Sequence, residues 1–155
     1  MTRGGLYQLL IVLDKPIAIQ VGRLGLYGFP GGHYVYTGSA MRGLDSRIAR
    51  HLSRRKRFHW HIDYLLEHAR ILRYAIWESE APLFLPPAGG SEKGVRRECE
   101  LARATLAMEG ASVPAVGFGS SDCHCVSHLV HFRAEPRRLP VEISGELAAH
   151  GRKPL

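Results

Sequence analysis

The chain has 155 residues, 45% of them hydrophobic, which suits one folded domain around a modest core and excludes a disordered tail. No apolar run reaches the ~18 residues needed to cross a bilayer as a helix, so a helical membrane span is excluded. The formal charge is +7, and 17 of the 21 basic residues are Arg, whose rigid fork of donors matches phosphate and suits a polyanionic partner.

The segment 6–13 (LYQLLIVL) reads as a buried strand, followed by a turn at Asp14-Lys15-Pro16 and a second strand over Ile17–Val21. The stretch 22–32 holds five glycines and Pro30 and reads as loop. A third strand is expected over 33–37 (HYVYT), helices over 42–52 and 59–69, and a strand over 71–77. A surface loop rich in Pro and Gly is expected over 79–91, a helix over 93–108, a glycine–serine loop over 117–121 and a last strand over 128–132. The tail, 134–155, carries three prolines and reads as peripheral to a domain of 1–133. Strands and helices alternate without a βαβ rhythm, which predicts an α+β fold.

The charge is concentrated. Arg42, Arg47, Arg50, Arg54, Arg55, Lys56 and Arg57 face one acid, Asp45, giving +6 in sixteen residues. A solvated helix face ordinarily mixes signs, so this stretch predicts a nucleic-acid or other phosphate-rich partner. On a helical wheel Leu44, Ile48 and Leu52 form an apolar stripe, with Arg47 and His51 together at its edge and Arg50 and Arg54 farther out. On the later helix Val95, Cys99, Ala102 and Leu106 form the stripe. Glu98 sits at its edge as a candidate metal-binding carboxylate, and Glu100 points away into water. Tyr7 lies on the first strand, and Tyr34 and Tyr36 share a face of the third.

These residues carry a family resemblance. Gly5-Leu6-Tyr7 and Tyr36-Thr37-Gly38 resemble the paired motifs of the GIY-YIG nucleases, and the segment from Ser39 to His51 resembles that family's helix with its Arg and a His four residues on. Glu98, followed by Leu101 and Ala102, is similar to the family's metal-binding Glu. The blocks Val21-Gly22-Arg23-Leu24-Gly25, His59-Trp60-His61-Ile62-Asp63-Tyr64, Glu98-Cys99, Gly117–Cys123 and Ser127-His128-Leu129 resemble the DUF123 branch of the superfamily. Three features depart from the pattern: Tyr7 and Tyr36 are 29 positions apart, with an extra strand and the glycine-rich stretch between them, the second motif reads YTG, and no match to the family's late Asn is visible.

The resemblance implies a small, central, mostly antiparallel β-sheet flanked by helices. It implies an endonuclease hydrolysing phosphodiester bonds, in DNA rather than RNA, with repair or structure-selective cleavage as its role. One divalent cation, Mg²⁺, would be held by Glu98 and waters. Tyr7 would deprotonate the attacking water, directly or through a shared proton, Tyr36 would orient Tyr7 or the water, and Arg47 would grip the scissile phosphate. His51 would assist a proton transfer or contact phosphate. Arg42, Arg50, Arg54, Arg55, Lys56 and Arg57 would track the backbone without reading sequence. The alternative is a nucleic-acid-binding module on the same fold without the chemistry.

Cys123, Cys125 and His128 offer three donors of the type zinc takes, with Cys99, Asp122 or His124 as a fourth. The alternatives are packing without metal, or a zinc-centred hydrolase. His59 and Asp63 share a face and read either as a metal pair or as a polar brace for the basic helix. Three cysteines cannot form a closed set of disulfides, and the first residues lack a signal-peptide pattern, so a reducing cytoplasm is expected. No membrane partner and no small-molecule cofactor are expected.

Overall fold

The axis of the sheet is β1 (Gly4–Leu13), which pairs antiparallel with β4 (Gly32–Ala40) on one side and β5 (Arg70–Ser79) on the other. The computed structural model describes residues 4–79, 84–85, 95–143 and 152–154. A short strand, β8 (Leu129–Phe132), pairs outside β4, and β9 (Arg152–Pro154) pairs outside β5, all antiparallel. The fold is thus α+β on an open antiparallel sheet.

Both faces of β1 are covered, and this explains its nearly unbroken apolar sequence. Tyr7, Leu9, Ile11 and Leu13 pack on one face with Leu44 and Ile48 of α1 (Leu44–Leu52) and Ile62 and Leu65 of α2 (His61–Leu66). Leu6 and Leu10 pack on the other with Val35, Val130, Phe132 and Leu101 of α3 (Arg97–Leu106). Gln8 also lies on that second face, fully buried. Its amide donates to Thr37 Oγ1 at 2.9 Å and Thr105 Oγ1 at 2.7 Å, and its carbonyl accepts the Val141 N–H at 3.0 Å. Those bonds account for a polar group in the core.

Three expectations need correction. The glycine-rich stretch 22–32 is a single 3₁₀ turn, Gly22–Leu24, followed by β3 (Gly25–Phe29), which pairs with β2 (Ile17–Val21) as a hairpin. Phe29 is buried and Tyr27 packs beside it, and this core contact overrides the weak strand tendency of glycine. The second helix begins at His61, because the Asp63 carboxylate accepts the backbone N–H groups of His59 and Trp60 at 2.8 and 2.9 Å and closes its first turn. Within the stretch expected as a peripheral tail, part of the described segment 134–143 packs inward: Leu139 and Val141 are fully buried, and Glu142 of α4 (Pro140–Ile143) forms an ion pair with Arg73. Much of the 79–91 loop and the start of the expected 93–108 helix lie outside the described residues; Val95–Arg96 pairs as a short strand with Phe84–Leu85. Among the described residues no helix is long and apolar enough to cross a membrane.

Candidate functional site

In the β1–β4 ladder Tyr7 stands opposite Gly38 and Leu9 opposite Tyr36. Tyr7 and Tyr36 are therefore diagonal neighbours on one face, with ring centroids 6.4 Å apart. The β2–β3 hairpin lies between them in sequence. Gly38 is a spatial requirement: a Cβ there would lie 2.4 Å from the ring and hydroxyl of Tyr7.

A cavity of about 250 Å³ opens beside these rings, and Tyr7, Tyr36, Arg47 and Glu98 all line it. Four candidates from four separate elements thus share one space. Arg47 donates from Nη1 to the Ser39 carbonyl at 2.7 Å, and its guanidinium lies 4.7 Å from the centre of the Trp60 ring. Arg50 lies 4.4 Å from the same ring, so one indole supports two cations.

His51 is buried, 2% exposed, with Nε2 at 2.7 Å from the Tyr7 hydroxyl. This bond makes it a partner of Tyr7. Burial, reinforced by the charges of Lys56, Arg50 and Arg47, pushes its pKa down to about 3, so it is a neutral ring. Nδ1 has no hydrogen-bond partner among the described residues. A buried N–H without a partner is costlier than a bare lone pair, so the proton belongs on Nε2, donated to the Tyr7 oxygen. Burial raises both phenols above the ordinary tyrosine value. The Arg47 guanidinium pulls Tyr7 back down, and Glu98 pushes both phenols up.

The basic stretch divides into two sets. Arg50 makes a two-pronged bond to the Asp63 carboxylate at 2.9 and 2.8 Å. Lys56 lies 4.0 Å from the same carboxylate and donates to the His51 carbonyl at 2.9 Å. Asp63 itself is fully buried. Burial would raise its carboxyl, but the Arg50 fork and the His59 and Trp60 N–H groups hold it below the usual range. Arg50 and Lys56 therefore brace the structure, and the reading of Asp63 as a polar brace is the one its bonds match. Arg42, Arg54, Arg55 and Arg57 are exposed and available to a partner.

Several lining residues carried little sequence signal of their own. His61 accepts the Gly119 N–H on Nδ1 at 2.8 Å, which leaves its neutral-form proton on Nε2. Burial lowers its pKa. Gly119 has φ +70, and a Cβ there would lie 3.1 Å from Tyr36. Asp122 adds a second carboxylate to the lining. In the sequence Trp60, His61 and Asp122 stood out only within blocks that resemble DUF123, Asp122 also as a possible fourth zinc donor.

Behind Glu98, the Sγ atoms of Cys99, Cys123 and Cys125 and a ring nitrogen of His128 all lie within 4.8 Å of one another. Cys99 is the fourth member of this cluster, where Asp122 and His124 had been equal candidates. The Glu98 carboxylate is 3.8 Å from His128 Nδ1.

No curated protein and no solved structure matches the chain. One family model does match, over residues 6–148, and its description is a domain of unknown function, DUF123. A match of that extent takes in β4, β5 and β8 of the sheet with nearly all of β1, the cavity walls and the Cys/His cluster, and the chain belongs to the DUF123 family.

Proposed function

We propose that the chain is a metal-dependent endonuclease of the GIY-YIG superfamily. It would hydrolyse phosphodiester bonds in nucleic acid, DNA in preference to RNA, in a reducing cytoplasm. The observation that carries this reading is the meeting of Tyr7, Tyr36, Arg47 and Glu98 on one cavity, with His51 bonded to Tyr7 from behind.

The lining fits a hard divalent cation, since the carboxylates of Glu98 and Asp122 face the same space. Bound there, Mg²⁺ would neutralise charge on the phosphoryl oxygens and lower the proton affinity of nearby water and phenol. Arg47, held by Ser39 and Trp60, grips a non-bridging phosphate oxygen through its remaining N–H groups. Tyr7 would first pass its phenolic proton to solvent, once the cation and Arg47 have lowered its proton affinity, then take the proton of the attacking water as the new O–P bond forms, and release that proton to solvent afterwards. The bond to the leaving oxygen breaks, and that oxygen takes a proton from solvent. His51 donates Nε2–H to the Tyr7 oxygen and stabilises its charge while it lacks a proton. Tyr36 packs beside Tyr7 and holds its ring. Arg42, Arg54, Arg55 and Arg57 attract the flanking backbone without reading bases.

A second reading is a binding module on the same fold. The burial that keeps both phenols protonated in the resting protein favours it. One experiment separates the two: plasmid, branched DNA and RNA are incubated with Mg²⁺ or with a chelator. Mg²⁺-dependent cleavage that Glu98→Gln abolishes, with nucleic-acid affinity retained, supports the enzyme. Tight binding without cleavage of any substrate supports the module.

A further inference from the structure

We propose that Cys99, Cys123, Cys125 and His128 form a structural zinc site beside the cavity. The four donors come from the first turn of α3, the loop before β8 and the residue that leads into that strand. Cys123 Sγ lies 3.5 Å and Cys99 Sγ 4.0 Å from His128 Nε2. A tetrahedral zinc ion with ordinary bond lengths separates sulfur from nitrogen by about 3.6 Å and sulfur from sulfur by about 3.8 Å. The cluster is therefore already near the size the ion requires.

The chemistry agrees with the geometry. Three thiols and an imidazole are one of the closed donor sets that structural zinc takes, with no position left for water or substrate. On binding, three S–Zn bonds and one N–Zn bond form, and the thiol protons pass to solvent. His128 is 1% exposed; its Nε2 faces two of the sulfurs while Nδ1 faces the Glu98 carboxylate at 3.8 Å. A carboxylate behind a ligating histidine is the usual support for such a ring. The segment 117–128 also has reason to need a clamp. It contains no helix or strand and is held by scattered bonds such as Gly117 N–H to Val126 O at 2.7 Å and His128 N–H to Phe118 O at 2.8 Å.

The site would also organise the neighbouring cavity. Glu98 and Asp122, which line the cavity, each immediately precede a ligand, Cys99 and Cys123. Zinc would thus tie the two acidic walls together from behind.

The test uses the full chain, purified under reducing conditions without a polyhistidine tag. Metal analysis should find about one zinc per chain. Cobalt substituted for zinc should give the visible bands of a tetrahedral thiolate site. The Cys123→Ser and Cys125→Ser variants should each retain less than a tenth of the zinc, and His124→Ala should retain all of it. If the cysteine variants fail to fold, the zinc content and cobalt spectrum of the unaltered chain decide alone. Reduced protein that holds no zinc and takes none up on titration, with all three thiols freely reactive, overturns the proposal. Full zinc occupancy in the folded cysteine variants does so as well. Neither result depends on whether the protein cleaves nucleic acid.

Discussion

The Tyr7 hydroxyl and Nε2 of His51 meet at 2.7 Å, a buried bond between the central strand and the basic helix. It couples a residue on the cavity wall to one that solvent does not reach. Tyr7→Phe removes the oxygen and keeps the ring. Single-turnover cleavage should fall by at least about a hundredfold, the low end for losing a general base, with affinity for nucleic acid unchanged. His51→Gln, which can still donate to the phenol, should lose less than His51→Ala. Equal losses in the two would remove the hydrogen bond from the scheme.

His51 also sets a pH dependence of stability. Its pKa in the folded protein is about 3, against about 6.5 for an unfolded chain, so between those values the unfolded state binds the extra proton. Stability is full above about pH 6.5 and declines as the pH falls toward about 3, by at most about 1.4 kcal/mol per pH unit for this one group. Urea midpoints measured between those limits should show a shallower slope in His51→Gln than in the parent chain.

Asp63 is the acid on which the basic helix turns. Replacing it with Asn leaves Arg50 and Lys56 facing an uncharged partner and weakens the start of α2. The expected cost is about 3–5 kcal/mol, the range for breaking one side of a buried ion pair. Because the Asp63 carboxyl is held below its ordinary range, its contribution is present above about pH 4 and is lost as the pH falls through the lowered value. Denaturant unfolding at neutral pH checks the first point: a change under 1 kcal/mol would mean the Asp63 brace is dispensable.

Gly38→Ala tests the ring position. The added methyl would sit 2.4 Å from Tyr7 Cζ and Oη, so the ring must shift and its 2.7 Å bond to His51 is disturbed. Destabilisation of about 1–3 kcal/mol is expected, as for other overpacked sites. Cleavage should be lost with binding kept. Unchanged activity in a folded Gly38→Ala protein would show that the position of the Tyr7 ring is not critical.

The exposed cations should act through salt. Substituting Arg54, Arg55 and Arg57 together by Ala should weaken binding and flatten the plot of log affinity against log salt by about 2.7, or about 0.9 per lost phosphate contact on duplex DNA. Folding stability should change little, because all three side chains are exposed. Arg50→Ala should behave in the opposite way, with a large loss of stability and a small change in salt slope. Fluorescence anisotropy across a salt series distinguishes the two.

Local pattern explains which parts of the fold were legible. The runs 6–13 and 71–77 are apolar enough to read as strands, and the wheel through Leu44 and Ile48 placed α1 correctly. The same wheel placed Glu98 at the edge of α3, and it lines the cavity. The hairpin over 25–29 was missed because its stability comes from Phe29 meeting the core, and glycine content by itself reads as loop. Leu139 and Val141 were missed because prolines flank a short apolar cluster, and only the second face of the sheet gives it a place to pack.

By itself the sequence determined the α+β class, the concentration of positive charge and the set of candidate residues, because periodicity and composition are short-range properties. Tertiary structure alone decided which cations turn inward to Asp63, which cysteine joins Cys123 and Cys125, and that His51 serves Tyr7. Those pairings depend on strand register, on the order of strands in the sheet and on the direction of each side chain. None of these is encoded in any one window of the chain; they arise when the β1–β4 ladder places Tyr7 over Gly38 and packs α1 against it.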